Sequence, residues 1–248
     1  MIYIGTEARH RAKRRPLRLA NGTDYFKGEY LQTPEDPRLS PQAFLIEQAP
    51  NTTILSHFHR QNQFQVVVAG GGTIGRHELK PTTVHYAGAY TGYGPLIAGP
   101  EGLTYFTLRS VTENGANFLP EARPELKAGP KRHFTSAPLE NLNESLLRQL
   151  AAPQVDEIQP CEEDALAVIR YRVPPGARVT TLSPEGSAGQ FLLVVGGELD
   201  HQGTPLKRWE NLFISADEPA YTIAAGTAGA EVLLLQYPPK AEIYEALQ

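Results

Sequence analysis

Residues 51–75, NTTILSHFHRQNQFQVVVAGGGTIG, place two histidines one residue apart, His57 and His59, ahead of a valine run and a glycine triplet. Successive side chains of a β-strand point to opposite faces, so residues i and i+2 share a face. On a strand, the two imidazoles therefore lie side by side. Residues 66–68 predict the next strand and residues 70–72 its turn. With a third donor from a neighbouring strand, two such imidazoles form the floor of a metal site in a small barrel.

Short strand patterns separated by turn signals continue through the first half of the chain. The sequence contains 22 glycines and 21 prolines, which favours many turns. No long 3.6-residue periodicity accompanies them, and this texture is typical of a β-sandwich or barrel. The predicted strands of this half are residues 42–48, 52–59, 63–69, 73–77, 81–87, 95–98 and 103–110.

Two stretches have a different texture. Residues 1–40 are interpreted as irregular, with polar and proline-rich turns. Residues 113–153 are charged and broken by prolines, which is typical of a linker or a surface excursion. Within them, the apolar periodicity of residues 136–151 predicts a short helix that Pro153 ends.

The second half of the chain repeats the first. The segment RVPPGARVTTLSPEGSAGQFLLVVGGEL parallels APNTTILSHFHRQNQFQVVVAGGGTI at a period of roughly 125 residues, which indicates duplication of a whole domain. The matched pairs are Pro175-Gly176 with Pro50-Asn51 and Gln190-Phe191 with Gln63-Phe64.

The second copy lacks the histidines of the first. Leu182 and Pro184 stand at the positions of His57 and His59. Because an apolar lining cannot hold a divalent cation, we predict that this copy is structural or forms at most an apolar pocket.

The spacing within residues 51–75 resembles the first motif of the cupin superfamily: G, five residues, H-x-H, three or four residues, E, six residues, G. Asn51 stands at the first glycine of that motif, Gln63 at the glutamate and Gly70 at the last glycine, while His57 and His59 stand at the histidines.

The second cupin motif is G, five residues, P-x-G, two residues, H, three residues, N. Its spacing matches residues 94–109, where Tyr105 stands at the histidine and Arg109 at the asparagine. In the duplicated half, Val232 takes the place of that histidine.

This resemblance implies an all-β fold of two tandem cupin-type jelly-roll barrels (double-stranded β-helix) with a short helical linker. The implied domains are an N-terminal arm over residues 1–40, an N-terminal cupin barrel over 41–112, the linker over 113–153 and a C-terminal cupin barrel over 154–248.

The resemblance also implies a divalent transition metal, Fe, Mn, Ni or Zn, held by His57, His59, Gln63 and Tyr105. Neutral imidazoles bind such metals well. A neutral amide is a weaker ligand than a carboxylate, and a tyrosine must lose its proton, which a metal ion promotes. Alternatively, Gln63 orients a histidine or a substrate, and Tyr105 forms an aromatic wall whose hydroxyl bonds to substrate.

Further candidate residues surround this set. Tyr93 belongs to a cluster of tyrosines that can line a pocket for a flat ligand, and Arg76 and Arg109 can pair with the carboxylate of a small acid. We therefore predict substrate binding by Gln63, Tyr93, Arg109 and Arg76. His77 and His85 are spare histidines that either replace the missing third ligand or lie at the surface.

Two hypotheses for function follow from the resemblance. In the first, the chain is a metal-dependent oxidoreductase of the dioxygenase type that acts on a small organic molecule, with His57, His59 and Tyr105 as catalytic residues. In the second, the chain is a metal-free cupin. It is then an isomerase that uses His57 or His59 as a general base, or a small-molecule binding protein without catalysis.

Charge and composition limit the partners. The net charge of −4 gives no case for nucleic acid, and the six Lys and Arg residues within positions 9–18 are expected to lie on the acidic body of this subunit or of a partner. No apolar run reaches the roughly 20 residues that cross a bilayer, and no signal peptide is recognisable. With one cysteine, Cys161, no intrachain disulfide can form. We expect a cytoplasmic homodimer, since exposed barrel edges need covering, with a small-molecule ligand.

Overall fold

The computed structural model describes residues 1–19, 22–31, 40–113 and 115–245. The chain divides into two compact units. The N-terminal unit comprises residues 8–139 and the segment from residue 240 onward, and the C-terminal unit comprises residues 1–7 and 140–239. Within the described residues, the helices are too short to cross a membrane.

The described elements up to residue 139 alternate short and long strands. They are β1 (Ile2–Gly5), α1 (Glu7–Lys13), β2 (Arg15–Arg18), β3 (Asp24–Glu29), β4 (Gln42–Gln48), β5 (Thr53–Ile54), β6 (His57–Phe58), β7 (Gln63–Ile74), β8 (His77–Leu79), β9 (Val84–Ala87), β10 (Leu96–Arg109), β11 (Asn117–Phe118) and β12 (His133–Thr135), with a 3-10 turn at Arg123–Glu125.

The elements after residue 139 repeat this pattern. They are α2 (Glu144–Arg148), β13 (Gln154–Gln159), β14 (Ala167–Val173), β15 (Arg178–Thr180), β16 (Gln190–His201), β17 (Thr204–Lys207), β18 (Asn211–Ile214), β19 (Thr222–Gln236) and α3 (Glu242–Glu245).

Antiparallel pairing builds one large sheet in each unit. The strand order is β12-β9-β7-β10-β4-β3-β2 in the N-terminal unit, where β5 pairs with β10, β8 pairs with β7, and β11 and β6 form a separate ribbon. The order is β1-β18-β16-β19-β14-β13 in the C-terminal unit, where β15 pairs with β19 and β17 with β16. Each unit encloses a cluster of buried apolar side chains. The predicted all-β class is confirmed.

A pair of long strands forms the centre of each sheet: β7 with β10 in the N-terminal unit, and β16 with β19 in the C-terminal unit. β7 and β16 both contain 12 residues and both begin with Gln-Phe, so the aligned pairs Gln63-Phe64 and Gln190-Phe191 open equivalent strands. In the C-terminal unit, Val232 on β19 is fully buried in the apolar cluster, and Leu182 packs against that cluster. Apolar side chains therefore fill the place that polar groups take in the N-terminal unit.

The glycine triplet lies inside β7, and the predicted turn at residues 70–72 is wrong. Gly70 has a φ of +67°, and a Cβ there would lie 2.2 Å from the carbonyl oxygen of Gly102. A Cβ on Gly72 would lie 2.0 Å from the carbonyl oxygen of Ile97. The register between β7 and β10 shifts in this region. Glycine lets the two backbones approach closely, so the predicted pairs of shorter strands merge into the continuous β7 and β10.

Other expectations also change. The described part of residues 1–40 forms β1, α1, β2 and β3, and is not an irregular arm. The predicted strand 52–59 is divided into β5 and β6. The predicted helix within 136–151 is confined to α2, which begins where the Asn143 side chain accepts a hydrogen bond from the Leu146 amide at 3.0 Å.

The close approach of β7 to β10 predicts a difference between two glycine substitutions in the N-terminal unit. Gly22→Ala meets open space at a φ of +84°, so its expected cost is about 1 kcal/mol of backbone strain. Gly70→Ala adds a collision with backbone and should cost at least about 2 kcal/mol more. Chemical denaturation measures both, and equal losses would contradict this account of the triplet.

Candidate functional site

The interior of the N-terminal unit contains a cavity of about 340 Å³. Aromatic rings form much of its wall, and charged groups stand among them. Its lining includes Tyr25, Lys27, Phe44, His57, His59, Tyr93, Tyr105, Arg109, Glu113, Ala116 and Phe118. The sequence analysis placed five of these at the site: His57, His59, Tyr93, Tyr105 and Arg109.

His57 lies on the short strand β6 and is only 4% exposed. Its backbone exchanges hydrogen bonds with Tyr93, at 3.1 Å and 3.0 Å, which sets the two side chains next to each other. Nδ1 of His57 lies 2.7 Å from the Leu55 carbonyl oxygen. A carbonyl only accepts, so Nδ1 carries the proton and Nε2 accepts from the Tyr93 hydroxyl at 2.8 Å. Burial lowers the pKa of His57 to about 3, so the ring is neutral at physiological pH.

Gln63, at the start of β7, continues this chain of hydrogen bonds. Its amide nitrogen donates to the Tyr93 hydroxyl at 2.5 Å. Its amide oxygen accepts from Nε and Nη2 of Arg109, at 3.1 Å and 2.9 Å. The bonds therefore run in one direction, from Arg109 through Gln63 and Tyr93 to His57. Gln63 is fully buried and orients its neighbours, which is the alternative role considered for it from the sequence.

Arg109, on β10, is a buried cation at 3% exposure. It lies opposite Gln42 of β4, whose side-chain oxygen accepts from Nη1 at 2.9 Å. Nη1 also donates to the carbonyl oxygen of Glu113 at 3.1 Å. Nη2 lies 3.1 Å and 3.2 Å from the two ring nitrogens of His59. With its bonds to Gln63, all five N–H groups of the guanidinium have partners.

His59 lies between this cation and an acid. Its Nδ1 is 3.6 Å from a carboxylate oxygen of Glu113. Burial, followed by the charge of Arg109, lowers the pKa of His59. Burial alone would raise the pKa of Glu113, but His59, the backbone amide of Arg60 and Arg109 outweigh it and lower that pKa. The cluster therefore holds an ionised Glu113 beside a charged Arg109.

Tyr105 faces the same cavity from β10, where it pairs with Ile46 of β4 and Val67 of β7. It is 4% exposed, and burial raises the pKa of its phenol. No other described residue forms a hydrogen bond with its hydroxyl. Tyr105 is therefore a protonated aromatic wall with a hydroxyl free to bond to a ligand.

These contacts decide which of the expected metal ligands fit a metal. His57 and His59 are neutral, buried and 5.2 Å apart between ring centroids, but Nε2 of His57 already accepts from Tyr93 and Nη2 of Arg109 lies against His59. Gln63 and Tyr105 fit poorly, because the Gln63 oxygen is already bound by Arg109 and burial favours the neutral phenol of Tyr105. Among the residues that the structure describes, no group of three His, Cys, Asp or Glu is placed to hold a metal ion.

The remaining predicted residues lie elsewhere in the unit. Arg76 is absent from the lining of the 340 Å³ cavity and lines a separate cavity of about 270 Å³ with His77, His85 and His133. Tyr93 lines both cavities. His85 is buried on β9 rather than at the surface, and burial lowers its pKa to about 3.

Six of these cavity residues were missed from the sequence, and three of the six carry polar or charged groups: Tyr25, Lys27 and Glu113. Tyr25 and Lys27 alternate along DYFKGE, residues 24–29, which is a strand signal within a segment that was interpreted as irregular. Glu113 lies beyond the last predicted strand of the barrel, and its sequence context carries no comparable signal.

No family model and no curated protein matches the sequence. Solved structures match it by fold. A candidate dioxygenase from Nostoc punctiforme is 10% identical, with a TM-score of 0.62 over 96% of this chain and 79% of that one. Oxalate decarboxylase from Lactobacillus farciminis, in a formate complex, is 10% identical, with a TM-score of 0.60 over 97% and 86%.

A third match is the pirin YhhW from Escherichia coli, solved in complex with nickel(II). It is 16% identical, with a TM-score of 0.56 over 96% of this chain and 100% of that one. These proteins have the cupin jelly-roll fold, so the predicted cupin-type fold is confirmed. At these identities the likeness concerns the fold, and the site has to be judged from its own residues.

The hydrogen-bonded chain predicts different results for two tyrosines of the same cavity. Tyr93→Phe leaves the Gln63 amide and His57 Nε2 without a partner, and should cost about 1–3 kcal/mol of unfolding free energy. Tyr105→Phe removes a hydroxyl that no described residue bonds to, and should change stability by less than about 0.5 kcal/mol. Equal losses in chemical denaturation would contradict the assigned network.

The buried His85 predicts a specific loss of stability in acid. Its pKa is about 3 when folded, against 6.5 for the free side chain, so between these values the unfolded chain binds a proton that the folded chain does not. Stability is therefore lost as the pH falls below 6.5, by about 2 kcal/mol for this group between pH 7 and pH 5. In His85→Gln, the difference between the two pH values should shrink by that amount. An unchanged difference in denaturation free energy would overturn the prediction.

Proposed function

We propose that the N-terminal unit binds a small, flat organic molecule in its 340 Å³ cavity, without a metal ion. The observation that supports this most directly is a set of polar groups that face the cavity without hydrogen-bond partners among the described residues. They are the hydroxyls of Tyr25 and Tyr105 and the amine of Lys27. The side chains of Arg109, Gln63, Tyr93 and His57, in contrast, are hydrogen-bonded to one another in that order.

Aromatic rings form the walls that a flat ligand would contact. Tyr25, Phe44, Tyr93, Tyr105 and Phe118 all line the cavity. Cavities of roughly 300–1,000 Å³, apolar with a few convergent polar groups, are the usual form of small-molecule sites. Burial raises the pKa of both Tyr25 and Tyr105, so their hydroxyls stay protonated and can donate to an oxygen of the ligand.

The charges around the histidines favour this function over metal chemistry. Nη2 of Arg109 lies 3.1 Å from Nδ1 of His59, which is a hydrogen-bond distance. A divalent cation bound by that ring would meet this fixed positive charge, and the carboxylate of Glu113 beside the ring is already bonded by the backbone amides of Arg60 and Gln61. His57 already accepts from Tyr93, and its pKa of about 3 is far below the value that suits a general base at neutral pH. The hypothesis of an isomerase that uses His57 as a general base is therefore disfavoured.

Binding of aromatic probes tests the proposal. Benzoate, phenylpyruvate and benzaldehyde, followed by ligand-observed NMR, should bind the full chain. Ala116→Trp, which adds a bulky ring to the cavity lining, should weaken binding at least about 10-fold, equivalent to about 1.4 kcal/mol. Ala128→Trp, on an exposed loop of the same unit, is the matched control and should bind as the unmodified chain does. Absence of binding by all three probes, or equal binding by both variants, would reject the proposal.

A metal-dependent enzyme of the dioxygenase type is the second candidate. One observation favours it: two neutral imidazoles, His57 and His59, share the cavity in a fold that the nickel-bound pirin also has. A transition metal held by these two residues would supply Lewis-acid or redox chemistry to a ligand in the cavity.

Metal analysis of the purified full chain separates the two candidates. Our proposal predicts well under one equivalent of Fe, Mn, Ni or Zn in protein prepared without chelators. About one equivalent that is lost in His57→Ala, and kept in His77→Ala outside the cavity, would reject the metal-free proposal and support the second candidate.

A further inference from the structure

The side chain of Lys27 contributes an amine to the wall of the cavity. It lies in the middle of β3, opposite Ile46 of β4, and lines the cavity together with Tyr25 two residues earlier. Its side chain is only 16% exposed, although lysine is among the residues that are least often buried. The amine is therefore part of the cavity wall.

The contacts of the Lys27 amine leave its hydrogen-bonding capacity unused. Nζ lies 4.0 Å from the centroid of the Phe44 ring and 3.9 Å from a carboxylate oxygen of Glu29. Both distances exceed a hydrogen bond, and no described residue accepts one from this amine. Lys131, by contrast, donates to the Tyr244 hydroxyl at 2.8 Å. Among the described residues, Lys27 thus has an ion pair with Glu29 and a ring contact with Phe44, and it makes no hydrogen bond.

Neighbouring cations disfavour the charged form of this amine. Arg15 lies directly across from Lys27 on β2, and like charges at opposed positions of neighbouring strands repel. Burial first, and then the guanidinium groups of Arg15 and Arg109, lower the pKa of Lys27, while Glu29 opposes them. A desolvated lysine next to other cations is the environment that makes an amine nucleophilic.

We propose that Lys27 captures the carbonyl group of the cavity's ligand as an imine, so that the ligand is a small aldehyde or oxo acid with a flat body. The inference rests on the small-molecule binding proposed above. A lysine that only paired with a carboxylate would need its positive charge stabilised. Glu29 and the Phe44 ring stabilise that charge in part, and burial and the two arginines oppose them.

The chemistry of capture needs no oxidant, reductant or further reactant. The lone pair of Nζ forms a bond to the carbonyl carbon, and the carbonyl π electrons move to oxygen. One nitrogen proton then passes to this oxygen and gives a hydroxyl group. The second nitrogen proton follows, the C–O bond breaks, water leaves, and a C=N bond replaces the C=O bond. Glu29, with a carboxylate oxygen 3.9 Å from Nζ, is placed to carry each proton from nitrogen to oxygen.

Reductive trapping tests this assignment in the full chain. The protein is incubated with phenylpyruvate or benzaldehyde and cyanoborohydride at pH 7, and the modified lysines are located by mass spectrometry after digestion. Lys27 should be modified at least about 10-fold faster than Lys80, a surface lysine, because the cavity holds the carbonyl group beside Nζ and the lowered pKa of Lys27 enlarges its free-amine fraction. Ala116→Trp should slow modification of Lys27 and leave that of Lys80 unchanged.

Modification of Lys27 no faster than that of Lys80, or equal modification in Ala116→Trp, would overturn the proposal. Lys27→Met serves to separate this proposal from the binding proposal. Equal binding of phenylpyruvate by the unmodified chain and by Lys27→Met, without trapping at Lys27, rejects the imine and leaves binding intact. Absence of binding by both rejects the two proposals together.

Discussion

The hydrogen bonds of the buried Arg109 guanidinium hold the interior of the N-terminal unit in place. A buried cation is costly unless its donors are paired, and here Gln42, Gln63, His59 and the Glu113 carbonyl pair all of them. Each of these partners comes from a different part of the unit. The position of Arg109 thereby fixes the orientation of Gln63, and through Gln63 that of Tyr93 and His57.

The two units place similar strands around different interiors. Gln190 of β16 is the counterpart of Gln63, but its side-chain oxygen has no hydrogen-bond partner among the described residues, and its nitrogen is 3.5 Å from the Leu182 carbonyl. Val232 and its apolar neighbours form the interior of this unit. The shared Gln-Phe start therefore belongs to the strand architecture of both units. The partners of the glutamine determine whether a polar site develops around it.

The balance of charges gives the N-terminal cavity its chemical character. The histidines that suggest a metal site are neutral because burial and Arg109 disfavour their protonation. The same guanidinium that orients Gln63 sets a positive charge against His59, and the ionised Glu113 lies 3.6 Å from the same ring. What remains accessible in the cavity is a pair of phenols, an amine of lowered pKa and a set of aromatic rings. These groups suit an organic ligand with a carbonyl or hydroxyl oxygen.

The sequence alone determined the all-β class, the paired histidines and the alignment of β7 with β16, because alternation, motif spacing and repetition are local properties of the chain. Gly70 shows where local sequence is not sufficient. A glycine triplet is expected both in a turn and in a strand that another backbone approaches closely, so the sequence does not distinguish the two. Only the tertiary structure decided that Arg109 lies against His59, that Arg76 lines a different cavity, and that Lys27 and Glu113 join the site. Contacts between β3, β4, β7 and β10 depend on strand register and closure, which join residues far apart in sequence. The charge state of each group follows from those contacts, and the spacing of residues along the chain carries no record of them.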